Sequence, residues 1–295
     1  MTTKTFAKLV FVFLLLSFSQ TAKSQIKFGV FADCQYCNCD TKGTRHYRNS
    51  LEKLQSCIHE FNNNNVAFVV GLGDLIDHEF SSFDGITPVL SHSKTEVSQV
   101  IGNHDLSVEN EYFEKVPQML KLDKTWYSFE KKGWRFIFLN GCDLTFQSND
   151  PQIVEKAKAL TAALKNEGKP NYHNWNGGIG EEQLQWMENE LKKAQNSRQK
   201  VILFCHFPLL PYNAHSLWNT EEVVDILKKY DCVKCWMNGH NHAGNYTFAD
   251  GIHFLNLKGM IETADINTFS VIKLSKKAIE VTGYGNEPQR TLPIN

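Results

Sequence analysis

The chain has 295 residues, of which 42% are hydrophobic and 21% charged, which excludes a disordered or collagen-like polymer. Its formal net charge of −1 gives no electrostatic basis for nucleic acid or an anionic membrane as partner.

Residues 1–24 read as an export signal. Lys4 and Lys8 form a basic start, Leu9 to Leu16 is an unbroken apolar run extended by Phe18, and Ala22-Lys23-Ser24 supplies small residues for cleavage before Gln25. The apolar core falls well short of the roughly 20 residues that span a bilayer. A periplasmic or secreted protein without a stable membrane anchor is therefore expected. Removing Lys4, Lys8 and Lys23 leaves 28 basic against 32 acidic residues, so the net charge moves from −1 to −4. Residues 25–295 are expected to form one α/β domain.

From Gln25 onward the pattern is strand, polar motif, helix. Ile26 to Phe31 is an apolar run ending at Asp33-Cys34-Gln35. Leu51, Leu54, Ile58 and Phe61 recur at helical spacing, and the Asn62 to Asn65 run ends that helix. Val66 to Val70 is a buried strand leading to Gly73-Asp74-Leu75-Ile76-Asp77, and Val97 to Ile101 leads to Gly102-Asn103-His104-Asp105. Trp134 to Leu139 is a further strand. The stretch 143–180 reads as a long polar connection, functional or mobile. Glu181 to Ala194 is an amphipathic helix with Leu184, Met187 and Leu191 inward. Val201 to Phe204 leads to His206, Glu221 to Lys229 is helical, and Val233 to Met237 leads to Gly239-His240-Asn241-His242. Ile252 to Leu257, Phe269 to Leu274 and Ile279 to Thr282 are strands. Every motif follows its strand, which is where open α/β sheets bind ligands.

The motifs offer Asp33, Asp74, Gln35, Asn103, His206, His240 and His242: two carboxylates, two amides and three imidazoles. Mixed oxygen and imidazole donors without thiolate suit manganese, iron, zinc or magnesium. Two such cations sharing one carboxylate are a general device for hydrolysing phosphate esters. The eight cysteines, 34, 37, 39, 57, 142, 205, 232 and 235, are an even count that in an exported chain suggests disulfides. Their pairing cannot be read from the spacing. Cys34 and Cys205 sit inside strand-end motifs as buried small residues, and the strand-like run after Cys235 argues against a zinc ribbon.

The order of these motifs resembles the calcineurin-like metallophosphoesterase superfamily. That resemblance implies a sandwich of two central mixed β-sheets flanked by helices, and two divalent cations with Asp74 as the shared ligand. Asp33, Gln35 and His242 would complete the first metal, and Asn103, His206 and His240 the second. His104 resembles the histidine that protonates the leaving oxygen, with Asp77 holding its imidazole. Most members carry Asp-x-His at the first motif; the Asp-x-Gln here replaces a nitrogen donor by a harder oxygen and shifts the expected preference toward manganese. A tyrosine ligand of the purple acid phosphatases is absent at Asp77.

Further details are similar to the manganese-dependent ADP-ribose/CDP-alcohol diphosphatases. They are Gln35-Tyr36, Tyr47-Arg48-Asn49-Ser50-Leu51, Trp175-Asn176-Gly177-Gly178-Ile179-Gly180, Gly259-Met260-Ile261-Glu262-Thr263-Ala264, and the tail from Gly283 through Pro288 and Arg290. This resemblance implies hydrolysis of a nucleoside diphosphate-linked small molecule to a nucleoside monophosphate and a phosphorylated partner. Arg45 and Arg48, ahead of the first helix, are candidates for binding phosphate. Tyr36, Asn176, Ile179 and Trp218 are candidate walls for base and sugar. His46, His59, His78, His92, His173, His215 and His253 lack motif context and are expected at the surface or in structural roles. The competing readings are a phosphomonoesterase or cyclic-nucleotide phosphodiesterase, and a non-catalytic metal-binding protein.

Overall fold

The computed structural model describes residues 25–294; the expected export signal at 1–24 lies outside them. The first sheet contains β1 (Ile26–Phe31), β2 (Val69–Gly71), β3 (Val97–Gln99), β10 (Thr268–Leu274), β11 (Ala278–Gly285) and β12 (Arg290–Pro293), in the order β12-β11-β10-β1-β2-β3. The second contains β4 (Tyr127–Lys131), β5 (Trp134–Phe138), β6 (Lys200–Phe204), β7 (Val233–Asn238), β8 (Asn245–Ala249) and β9 (Ile252–Asn256), in the order β4-β5-β6-β7-β9-β8. Both sheets are mixed. β1, β2 and β3 run parallel, as do β5, β6, β7 and β9, and the outer strands are antiparallel. This is the two-sheet α/β sandwich expected from the sequence.

The sheets face each other through phenylalanine. Phe28 stacks on Phe68 at 4.9 Å and meets Phe136 and Phe204 edge-on at 5.9 Å. Such pairs contribute roughly 0.5–1.5 kcal/mol each beyond the area they bury. The outer faces are covered by α1 (Asn49–Asn63), α2 (Ser82–Leu90), the short α3 (Val116–Met119), α4 (Pro151–Asn166), α5 (Glu181–Asn196) and α6 (Thr220–Leu227). Helix α1 buries Leu54, Cys57, Ile58 and Phe61, the face its spacing predicts. Phe61 lies so close to β1 that a methyl group at Gly29 would meet its ring at 2.6 Å.

One stretch departs from expectation. The segment 143–180 is not a continuous loop, because α4 occupies its middle. Asp150 caps that helix by accepting the Gln152 N–H at 2.8 Å, and Pro151 opens its first turn. This is a standard start signal. Ala157 and Leu164 on its inner face pack with Trp218 in a small separate cluster. Cys37 and Cys39 form a disulfide, whereas Cys34, Cys57, Cys142, Cys205, Cys232 and Cys235 are buried thiols. Among the described residues no helix is long and apolar enough to cross a membrane.

Candidate metal centre

The parallel strands of both sheets end at one edge, and the loops beyond β1, β2, β3, β6 and β7 deliver the seven candidate ligands there. Backbone bonds lace these loops together: Asp33 N–H to the Gly73 carbonyl at 3.2 Å, Gln35 N–H to Asp74 at 2.8 Å, and Gly239 N–H to His206 at 3.1 Å. Asp105 fastens two of them. Its Oδ2 accepts the N–H groups of Asp74 and Gly102, both at 2.9 Å, and its Oδ1 those of Leu75 at 2.8 Å and Ile76 at 3.2 Å. Asp33, Gln35, Asp74 and His240 adopt positive φ of 53°, 45°, 54° and 66°. These left-handed conformations are uncommon outside glycine and persist only where the surroundings enforce them.

One cluster forms around His206. Its Nδ1–H donates to the Leu72 carbonyl at 2.8 Å, which leaves the Nε2 lone pair facing inward. That atom lies 3.2 Å from Asp74 Oδ2, Asn103 Oδ1 and His240 Nδ1. His240 in turn donates Nε2–H to Asn176 Oδ1 at 2.9 Å, so its Nδ1 also presents a lone pair. Four potential donors to a cation thus converge on one space, which either a proton shared by His206 and Asp74 or a cation can fill. Burial and the neighbouring His206 hold His240 well below the ordinary histidine range, keeping that lone pair free. Burial alone would lower the His206 pKa; Asp74 outweighs it and raises it to about 9, so without a cation a proton on Nε2, shared with Asp74, stands where a cation would bind and displace it. Burial opposes the charge on Asp74, but His206 and His104 hold its carboxyl far below the usual range. The electronegative pocket attracts positive charge.

A second cluster adjoins it through the same Asp74 oxygen. Gln35 Nε2 donates to Asp74 Oδ2 at 3.1 Å, and Gln35 Oε1 is buried without a partner. An orphaned amide oxygen costs roughly 1–3 kcal/mol, and a cation would satisfy it. Asp33 accepts the His240 N–H through both oxygens, at 3.0 and 3.2 Å, and its Oδ1 lies 3.5 Å from His242 Nε2. His242 Nδ1–H donates to Glu262 Oε1 at 2.5 Å, and Thr44 donates to Glu262 Oε2 at 2.5 Å. A carboxylate behind a histidine in this way fixes its tautomer and raises its basicity toward a metal. The donor chemistry therefore fits two cations of the oxygen- and nitrogen-preferring class: Asp33, Gln35, Asp74 and His242 would hold one, and Asp74, Asn103, His206 and His240 the other.

His104 stands beside these clusters. Its backbone N–H donates to Asp74 Oδ1 at 2.8 Å, while its Nδ1 lies 3.1 Å from both the carbonyl and Oδ1 of Asp77. Burial lowers the His104 pKa, but Asp74 and Asp77 outweigh it and raise it, so the imidazole keeps its proton to higher pH. His104 opens onto a cavity of about 580 Å³ whose far wall includes Phe146, Trp175 and His215. Trp175 stacks on His173 at 4.5 Å and lies 5.1 Å from His215. A second cavity of about 500 Å³ shares Arg45, His215, His240 and His242 and adds Lys258.

The structure brings Arg45 to this cavity but not the other five candidate substrate contacts. Arg48 turns outward, bonded to Asn38 Oδ1 at 2.7 Å and paired with Asp40 at 2.6 Å. Tyr36 packs against α2, where a methyl group at Gly85 would touch its ring at 2.6 Å. Asn176 is buried and orients His240 rather than facing the cavity. Ile179 lies in the main core, and Trp218 lies in the α4 cluster, where its indole N–H donates to the His173 carbonyl at 3.0 Å. Conversely, Glu262 and Asp105 hold the site in ways their motifs did not reveal, and His215, expected to be structural, lines the cavity.

Residues 26–244 match the calcineurin-like phosphoesterase family model. A relative from Arabidopsis thaliana, a manganese-dependent ADP-ribose/CDP-alcohol diphosphatase, is 32% identical over 80% of this chain and 86% of its own length. A protein of the same description from Homo sapiens is 26% identical over 93% of this chain and 94% of its own. Among solved structures, a dimetal phosphatase from Danio rerio superposes with a TM-score of 0.82 at 24% identity, covering 92% of this chain and 99% of that one.

Proposed function

The chain belongs to the calcineurin-like phosphoesterase family, and on that premise we propose that it is a two-metal diphosphatase. Its substrates would be nucleoside diphosphate-linked compounds of the ADP-ribose and CDP-alcohol kind, cleaved to a nucleoside monophosphate and a phosphorylated partner. The observation that carries the reading is the convergence of carboxylate, amide and imidazole groups on Asp74 Oδ2 beside an aromatic, arginine-lined cavity. The specificity is supported by relatives of that description at 25–32% identity across most of the chain. Manganese is the preferred ion in this reading, because Gln35 offers oxygen where an imidazole would favour zinc.

Two bound cations would supply Lewis acidity, polarising the phosphoryl oxygens and acidifying a water. The remaining work falls to the chain. His104, its Nδ1 engaged by Asp77, carries its transferable proton on Nε2 and gives it to the bridging oxygen as the P–O bond breaks. Water oxygen replaces that bridging oxygen on the attacked phosphorus, so both products are phosphomonoesters. Arg45, facing both cavities, neutralises the second phosphoryl group. Trp175 and His215 offer flat faces to a base.

The test is manganese-supported hydrolysis of ADP-ribose, CDP-choline, AMP and a cyclic nucleotide, with products identified by chromatography. A diphosphatase prefers the first two; a ten-fold preference for AMP or the cyclic nucleotide, about 1.4 kcal/mol, overturns the specificity. We also infer export through residues 1–24, with 25–295 as the mature metallophosphoesterase domain. N-terminal sequencing of protein recovered outside the cytoplasm should then begin at Gln25, and an intact Met1 there refutes it.

A further inference from the structure

We propose that Cys37, Cys39 and His78 form a separate, thiophilic metal site, open when the Cys37–Cys39 disulfide is reduced and suited to a closed-shell cation such as zinc. Their donor atoms lie within 4.8 Å of one another, and Cys39 Sγ is 3.6 Å from His78 Nε2. On a tetrahedral zinc with Zn–S of about 2.3 Å, two sulfurs stand roughly 3.8 Å apart; reduction frees the two side chains to separate to that distance from Cα atoms 5.2 Å apart.

Three further features support the site. First, His78 Nδ1 lies 2.7 Å from Asp77 Oδ2. This carboxylate–imidazole pair fixes the proton on Nδ1 and turns the Nε2 lone pair toward the sulfurs, the arrangement typical of metal-binding histidines. Second, the two segments are already joined. Tyr36 N–H donates to the Leu75 carbonyl at 3.0 Å and Asp77 N–H to Tyr36 at 3.1 Å, so little ordering is left for the ion to impose. Third, the His78 side chain is 42% exposed, which leaves room for a water as fourth ligand.

The site shares no ligand with the cluster around Asp74, and its chemistry is different. Two thiolates and one imidazole select soft ions, whereas the oxygen-rich cluster does not. The redox step balances with a small-molecule thiol: the disulfide and two RSH give two cysteine thiols and RSSR. The cation then displaces both thiol protons to solvent. With the disulfide closed, neither sulfur is a thiolate and the site is shut.

The experiment uses the full-length protein saturated with manganese, in oxidised form and after dithiothreitol reduction and anaerobic desalting. Zinc is titrated against a chromophoric chelator, and cobalt is added as a spectroscopic probe. Reduced wild type should take up one more zinc per chain than oxidised wild type. Its cobalt form should show sulfur-to-metal charge-transfer absorption that the oxygen- and nitrogen-lined cluster cannot give. Cys39→Ser should lose both signals, and His78→Gln should weaken zinc binding at least ten-fold. Manganese-supported hydrolysis by Cys39→Ser reports that the variant is folded. Absence of the extra zinc in reduced wild type overturns the proposal, as does a charge-transfer band that survives in folded Cys39→Ser.

Discussion

Replacing Glu262 by alanine tests whether the group behind His242 governs metal binding. Glu262 accepts from His242 Nδ1 at 2.5 Å and is itself held by Thr44, so its loss frees the imidazole to rotate and to change tautomer. Removing a carboxylate from behind a metal-binding histidine weakens metal affinity by roughly 10–100-fold, or about 1.4–2.7 kcal/mol. The same contact also stabilises the metal-free fold, a separate effect. The hydrogen bond to His242 holds the Glu262 carboxyl at about 2 against an ordinary 4.5, a preference for the charged form of roughly 3 kcal/mol. Solvent at a side chain 29% exposed reduces this to roughly 1–2 kcal/mol. Because the folded pKa is depressed, this contribution is present above about 4.5 and lost as pH falls toward about 2. Calorimetric manganese titration of chelator-stripped protein measures the effect, with a thermal melt confirming the fold. One ion should weaken selectively in Glu262→Ala, and Glu262→Gln should lie between it and wild type. If Glu262→Ala binds both ions with wild-type affinity, the reasoning about His242 is wrong.

Other perturbations have equally definite outcomes. His104→Ala should lower kcat by roughly 10²–10⁴ while metal affinity changes little; the loss should shrink for a substrate whose leaving group needs no proton, and an equal loss on both substrates refutes the acid role. Gln35→His should raise activity with zinc relative to manganese, and an unchanged metal profile removes Gln35 from the ligand set. Lys53 donates to the carbonyls of Met260 and Thr263, next to Glu262, and burial pulls its pKa down from 10.5 to about 8. Below about 8 it is charged in both states and the folded state bears the burial cost; as pH rises from 8 toward 10.5 only the unfolded chain keeps the proton, so stability rises. Denaturant unfolding of wild type minus Lys53→Met should therefore show a gain of roughly 1–3 kcal/mol across that window, and a flat difference contradicts it.

What the sequence made legible follows from how the site is built. Asp33, Asp74, Asn103, His206 and His240 each follow an apolar run, so chain order alone placed them at strand ends. The errors have physical causes. Ile179 and Trp218 lie close in sequence to Asn176 and His215, and nothing in a single sequence says whether an apolar side chain faces the cavity or the interior; Ile179 faces the main core and Trp218 the α4 cluster. Arg48 was expected at phosphate, but Asn38 and Asp40, on the same loop, had already claimed it. Asn176 does reach the site, through His240 rather than substrate. Glu262 touches His242 across 20 residues and Asp105 touches Asp74 across 31, distances over which no periodicity speaks. Helix α4 was the avoidable miss, since Asp150-Pro151 is a start signal visible without coordinates.

The left-handed backbone at Asp33, Gln35, Asp74 and His240 has an evolutionary consequence. Each such residue costs the fold roughly 1–3 kcal/mol, and glycine at any of them would relieve that cost. Mutations that delete a ligand can therefore leave the domain as stable as before, or more so. A duplicated copy released from selection for hydrolysis would slide toward a well-folded, metal-free sandwich with its architecture intact. The four side chains at these positions are therefore the part of the site that backbone energetics alone would not retain.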